Sequence, residues 1–370
     1  METEPDGVEA VATAEEGRHL ASPPLLIVDA VEHYFDAQGL GAGPIRWGRI
    51  GGGQSNVTYR IERGCDVFVL RRGPRPPLAR STHDMVREAR ILRLVGASGT
   101  PVPRILAVCD DESVLGVPFY VMEFVEGVII TDDIPAGLFS FADRRATSET
   151  AVDELVRLHR IDVSSGDLAT LGRPAGYLER QVRRFAALWD VNATRDVPEV
   201  ARISAWLAGN MPHTQAHSVV HGDYRLGNLM FAADEPARVV SILDWEMATL
   251  GDPLADLGYL TATYAEPGGF GTPLELTTVT REPGYLSRAE LVERYRQRMP
   301  FDLDPLPWYQ ALALWKAAIF SEAIYTRWLS GERPDDTVFG PSLEAGVPRL
   351  LEAAMGFAGL AAPTDVEPAG

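Results

Sequence analysis

The segment His221-Gly222-Asp223-Tyr224-Arg225-Leu226-Gly227-Asn228, followed by Val239-Val240-Ser241-Ile242-Leu243-Asp244-Trp245-Glu246, constrains this chain more than any other. Apolar, β-branched stretches bracket a polar loop, which predicts a strand–loop–strand unit over Val219 to Trp245. A loop between strands lets several polar side chains converge without burying unpaired backbone. Phosphoryl transfer needs a carboxylate to orient an acceptor hydroxyl and take its proton. It needs oxygen ligands to hold Mg²⁺ against phosphates, and a cation to offset charge on the group in transit. Asp223, Asn228, Asp244 and Arg225 supply these parts.

Charge narrows the partners. The 370 residues carry 34 basic and 52 acidic side chains, a formal charge of −18. So acidic a surface repels DNA, RNA and anionic lipid, but leaves room for a small anion held by local cations. Lys316 is the only lysine, so arginine must do what lysine does elsewhere. Cys65 and Cys109 form neither a disulfide framework nor a metal cluster, and read as reduced thiols. No apolar run approaches membrane-span length, and the acidic start Met-Glu-Thr-Glu-Pro-Asp is unlike a signal peptide. The expectation is a cytoplasmic protein without membrane or nucleic-acid partners, its oligomeric state left open.

Residues 1–24 are acidic and end in Pro23-Pro24, which predicts a flexible tail, and residues 361–370 read the same way. Strands are expected at Val57 to Ile61 and Asp66 to Leu70 around a turn at Arg63-Gly64, and again at Ile105 to Val108 and Phe119 to Val125. Met85, Ala89, Leu92 and Val95 share one face of a helix expected over Thr82 to Val95. Beyond about residue 126 the pattern turns helical. Helices are expected over Glu149 to Arg160, Tyr177 to Trp189, Ser287 to Arg298 (opened by a capping box) and Pro307 to Leu329. The fold class is therefore α+β: a five-strand antiparallel lobe with one helix over residues 25–125, then a larger, mainly helical lobe over 126–360. A cleft between lobes is the default ligand site.

These motifs resemble the aminoglycoside phosphotransferase family, whose fold is protein-kinase-like. The protein-kinase catalytic loop runs H-R-D-x-x-x-x-N with a later metal-binding Asp, and Asp223 and Asn228 keep that spacing. The resemblance implies Asp223 as base, Asn228 and Asp244 as Mg²⁺ ligands, and Arg225 at a phosphate-contacting position. Gly251-Asp252-Pro253-Leu254-Ala255-Asp256-Leu257 also matches. Asp252 reads as a helix cap and Asp256 as a brace for the loop. His221 reads as a packing and hydrogen-bonding residue.

The same resemblance assigns the nucleotide side. Gly52, Gly53, Ser55 and Asn56 would cover the phosphates. Arg71 stands where the fold carries a phosphate-pairing lysine, with Glu88 as its helix partner, and Val69 would touch the adenine. Met122 would back the pocket, and backbone groups of Glu123 and Val125 would read the adenine edge. Gly172-Arg173-Pro174 to Trp189, Arg71-Arg72-Gly73-Pro74 and Asp111 to Pro118 resemble the branch associated with acyl-CoA dehydrogenases.

The resemblance implies an ATP- or GTP-dependent, Mg²⁺-dependent transfer to a hydroxyl of a small molecule, aminoglycoside-like or hydroxyacyl-CoA-like. Arg71 in place of lysine keeps open a second reading, a catalytically inactive nucleotide-binding scaffold. Candidate acceptor walls are the Tyr264 to Tyr285 loop and the helix bearing Trp308, Trp315, Tyr325 and Trp328, whose aromatic stripe also fits plain core. Arg180, Arg183, Arg184 and Arg327 could form an anion patch or solvated helix faces.

Overall fold

The computed structural model describes residues 3–4, 7–51, 56–76, 83–135, 140–233, 237–332 and 336–360. The chain divides into two compact units, Met1–Glu126 and Gly127–Gly370.

Unit one is built on β1 (Ile45–Arg49), β2 (Val57–Arg63), β3 (Asp66–Arg72), β4 (Ile105–Cys109) and β5 (Phe119–Glu123). They form one antiparallel sheet in the order β1-β2-β3-β5-β4. Gly64 at φ 60° turns the β2–β3 hairpin, where a side chain would be strained. Val57, Tyr59 and Ile61 alternate inward along β2 and join Phe68, Leu70, Phe119 and Val121 in one apolar cluster. Val31 and Phe35 of a helix at Val28–Gln38, here α1, complete that cluster. The sequence reading did not expect this helix. Only Val31 and Phe35 are buried along it, too thin a stripe to stand out as periodicity.

The opposite sheet face carries α2 (Met85–Ala97). It begins at Met85 rather than Thr82, because the Asp84 carboxylate caps it by accepting from the Arg87 N–H at 2.9 Å.

The expected flexible tail differs from what is observed over residues 7–24. Ala10–Val11 pairs in parallel with Leu26–Ile27, and Thr13 and Glu16 form a capping box. Glu9 is buried. Its carboxylate accepts from the Tyr59 hydroxyl at 3.1 Å, which offsets a charge that composition alone reads as solvent-seeking. Residues 361–370 lie outside the described residues.

Unit two contains α3 (Phe141–His159), α4 (Tyr177–Asn192), α5 (Pro198–Gly209), α6 (Leu254–Thr263), α7 (Arg288–Arg296), α8 (Leu306–Leu329) and α9 (Phe339–Ala358). The short strands of this unit include β6 (Ser218–Val220), β7 (Leu229–Phe231), β8 (Val239–Ile242) and β9 (Thr249–Gly251), and Val128–Ile129 pairs antiparallel with β7. α8 forms the spine. Trp308, Tyr309, Leu312 and Trp315 are buried along it, and α6 and α9 pack against it. Among the described residues no helix is long and apolar enough to cross a membrane.

Candidate active site

Two antiparallel ladders dictate the local geometry. β6 pairs with β9, Val220 opposite Thr249, and β7 pairs with β8, Leu229 opposite Ile242. The loop from β6 to β7 spans 221–228, and the loop from β8 to β9 spans 243–248. Pairing both flanks forces the two loops side by side. The Leu243 N–H donates to the Asn228 carbonyl at 2.8 Å, and His221 Nε2 meets the Leu243 carbonyl at 2.9 Å. Asp244 therefore follows directly on a residue tied to both ends of the first loop. Its φ of 63° is a left-handed conformation uncommon for a side-chain-bearing residue.

Within the first loop, Asn228 Nδ2 donates to the Asp223 carbonyl at 2.8 Å and to Asp223 Oδ2 at 2.7 Å. Arg225 Nε lies 3.7 Å from Asp223 Oδ1. The His221 ring is buried, and its Nδ1 accepts from the Asp223 N–H at 3.2 Å. With both ring nitrogens engaged by the backbone, His221 ties the two loops together. Gly222, at φ 88°, has no room for a Cβ, which would come within 2.9 Å of the Met247 carbonyl oxygen.

Asp256 clamps the loop from beneath. One carboxylate oxygen accepts from His221 N–H at 2.7 Å and the other from Gly222 N–H at 2.8 Å. Asp256 is wholly buried, and His159 Nε2 approaches it at 3.4 Å. Asp252 accepts from the Leu254 N–H at 3.0 Å and from the Tyr309 hydroxyl at 2.9 Å. Burial pushes its pKa up, against these hydrogen bonds. Both acids are thus bound up in structure.

Tyr259, one helical turn beyond Asp256, was not singled out from the sequence. Burial, then the Asp223 charge, raises the pKa of its hydroxyl well above the usual tyrosine value. The i, i+3 spacing from Asp256 was the available signal, but it is meaningful only once Asp256 is known to face the loop.

The predicted nucleotide side lies in unit one. Arg71 Nε sits 3.1 Å from Glu88 Oε1, and Tyr120, directly across from Arg71 in the sheet, donates to that same oxygen at 3.0 Å. Val69 lies opposite Met122 on that sheet face, two residues from Arg71. Asn56 Oδ1 meets His83 Nδ1 at 2.8 Å. His83 itself, at φ 54°, escaped the sequence reading, and burial and then Arg71 hold its pKa below the usual histidine value. Gly52, Gly53 and Ser55 lie outside the described residues.

One expectation narrows. The Glu123 N–H donates to the Arg104 carbonyl at 3.0 Å as the β4–β5 pairing continues, so it is not available to an adenine. Val125 follows β5 in irregular chain.

Most of the aromatic stripe of α8 is core, Tyr325 being buried with the two tryptophans that precede it and Trp328 only half-buried. Trp308 and Trp315 are buried and donate to the Leu207 and Val200 carbonyls at 3.0 and 3.1 Å. The cavity nearest Arg225, lined also by Leu226, Leu260, Leu274 and Thr277, holds about 10 Å³, room for one water.

A model of the phosphotransferase enzyme family matches residues 46–297, which takes in parts of both units and every residue of the two loops. The chain belongs to this family. Among relatives of the phosphotransferase-family chain, acyl-CoA dehydrogenase family member 11 of Gallus gallus is 34% identical over 304 residues, 80% of this chain and 38% of that protein. Acyl-CoA dehydrogenase family member 10 of Mus musculus is 33% identical over 318 residues, 84% of this chain and 29% of that protein. The chain thus spans only about a third of the length of these relatives. A solved Ralstonia eutropha structure, provisionally described as an aminoglycoside phosphotransferase, is 29% identical with a TM-score of 0.73, covering 90% of this chain and 98% of that one. The aminoglycoside phosphotransferase APH(4)-Ia, solved with AMP-PNP and hygromycin B, shares the fold at 15% identity and a TM-score of 0.58, over 88% of this chain and 99% of that one.

Proposed function

We propose that this chain is an ATP- and Mg²⁺-dependent phosphotransferase acting on a hydroxyl of a small molecule. The observation that carries the reading is the pairing of Asp223 Oδ2 with Asn228 Nδ2 at 2.7 Å, on a loop tied to Leu243, the residue before Asp244. Asp223 accepts the proton of the acceptor hydroxyl as its oxygen attacks the γ-phosphorus. The bond from that phosphorus to the β–γ bridging oxygen breaks, and ADP leaves. Arg225 offsets negative charge on the group in transit.

The donor set suits Mg²⁺. Asn228 spends its amide nitrogen on Asp223, which leaves Oδ1 as its remaining coordinating atom, and Asp244 supplies a carboxylate. One carboxylate and one amide oxygen match an ion that takes its other ligands from phosphates and water. When bound, Mg²⁺ neutralises phosphate charge.

In unit one, the reading gives Asn56 and Arg71 to the phosphates, and Val69, Met122, the Glu123 carbonyl and Val125 to the adenine. The AMP-PNP complex of the fold neighbour supports ATP as donor. The inactive-scaffold reading loses ground because Arg71 keeps the Glu88 partner expected of a lysine there.

The test is ADP release with Mg²⁺ and ATP or GTP across aminoglycosides, hydroxyacyl-CoAs and small amino alcohols. Turnover that disappears in Asp223→Ala supports the reading, and turnover that survives it overturns the assignment of Asp223.

A further inference from the structure

Within unit two, α7, the first turns of α8 and the last turn of α9 line a cavity of about 650 Å³, a volume that suits a small organic molecule. None of its lining residues belongs to the loops 221–228 and 243–248. Its wall is apolar at Val292, Leu303 and Leu306. It is aromatic at Phe270 and Phe357, whose ring centres lie 5.1 Å apart. Phe270 is 46% exposed, so much of this ring still lacks an apolar partner.

The polar groups of the wall decide what charge it takes. Each of its arginines already faces an acid. Arg288 donates from Nε to the Tyr264 carbonyl at 2.8 Å, from Nη2 to Glu275 at 3.1 Å and from its backbone N–H to Glu266 at 3.0 Å. Its guanidinium also lies 5.3 Å from the centre of the Phe270 ring. Arg296 lies 3.7 Å from Glu293, which accepts from Gln297 as well.

Two acceptors remain. Gln310 is only 8% exposed, and its Nε2 donates to Thr261 Oγ1 at 2.9 Å. Its Oε1 accepts no hydrogen bond among the described residues, so the wall presents that oxygen to the cavity. A buried amide oxygen left this way is costly unless a donor reaches it. Asp304, exposed at the rim, has a carboxylate without an ion pair or hydrogen bond among the described residues.

We infer that this cavity binds a small organic monocation with an apolar body. Its ammonium donates to the Gln310 amide oxygen and the Asp304 carboxylate, and its apolar part lies against Phe270 and Phe357. A cation also suits the aromatic wall, since ring faces attract positive charge. The inference does not depend on the phosphotransfer reading, because no residue of the catalytic loop lines the cavity.

The experiment titrates the full chain with phenylbutylamine, phenylbutanol and phenylbutyrate at neutral pH and follows the heat of binding. The amine should bind about tenfold more tightly than the alcohol, and the carboxylate should not bind. Asp304→Asn should weaken the amine about threefold and leave the alcohol unchanged. Gln310→Leu should weaken the amine about tenfold. That variant also loses the bond to Thr261, so Asp304→Asn carries the test if its melting temperature falls. Phe357→Ala should weaken amine and alcohol alike. Wild-type amine affinity in Asp304→Asn and Gln310→Leu overturns the inference. So does carboxylate binding equal to that of the amine, or no saturable amine binding at millimolar concentration. Amine binding that disappears in Asp223→Ala overturns it too, by placing the amine on the catalytic loop.

Discussion

Arg71 reaches Glu88 across 3.1 Å, with only 16% of the arginine side chain and 4% of the glutamate side chain exposed. An ion pair this far from water is held by geometry: Tyr120 satisfies the same glutamate oxygen, and Thr58 Oγ1 lies 3.5 Å from Arg71 Nη1. Removing one member strands the other in a medium that penalises charge.

Arg71→Ala should therefore lower unfolding free energy by about 3 kcal/mol in urea denaturation. The double replacement Arg71→Met with Glu88→Leu should recover most of that stability, since no lone charge remains. Nucleotide binding, followed by titration calorimetry with ATP, should stay lost in both. Recovered binding in the double variant would show the pair to be structural only.

Asp256→Ala should strip the buried N–H of His221 and the half-buried N–H of Gly222 of their acceptor. The expected cost is roughly 3 kcal/mol, seen as a lower melting temperature, together with loss of ATP turnover because the loop bearing the proposed base loses its anchor to α6.

Gly258→Ala should destabilise by about 2 kcal/mol through overpacking against Tyr309. Gly209→Ala makes the contrasting case. It also stands in a helix, but its Cβ would meet nothing within 4 Å, so the same substitution should stabilise by a few tenths of a kcal/mol, up to about 1. Paired thermal melts of the two variants check the sign of each.

Lys316 gives a pH signature. Burial brings its pKa down to about 8, with Asp256 pulling it back up and Arg184 pushing it down. Its Nζ lies 4.8 Å from the centre of the Phe185 ring. A lysine with a depressed folded pKa binds fewer protons folded than unfolded between that value and its ordinary one, so stability rises with pH across that window. Lys316→Met should accordingly be more stable than wild type at pH 7, and its advantage should shrink as pH rises from about 8 towards 10, measured by urea denaturation at each pH.

The elements that local sequence encodes were legible because their signals are local. Period-two alternation marks Val57 to Ile61, and a capping box marks Ser287. The spacing of Asp223 and Asn228 anticipated a contact that forms within a single loop. Glu88 stood out as an acid on an apolar helix face, and it proved buried against Arg71.

What stayed hidden depends on residues far apart in the chain. Residues 7–24 are tied to the rest of unit one by contacts such as Tyr59 with Glu9, fifty positions away. The core role of Trp308 and Trp315 rests on carbonyls of α5, and the Glu123 N–H is taken by a strand neighbour. The sequence by itself determined which chemical groups this protein can bring to a phosphate and in what order along the chain. Only the tertiary structure decided that α6 presses Asp256 onto the loop, because that placement is set by the close approach of Gly258 to Tyr309. Such a contact has no periodicity along either helix, and it exists only once both are packed.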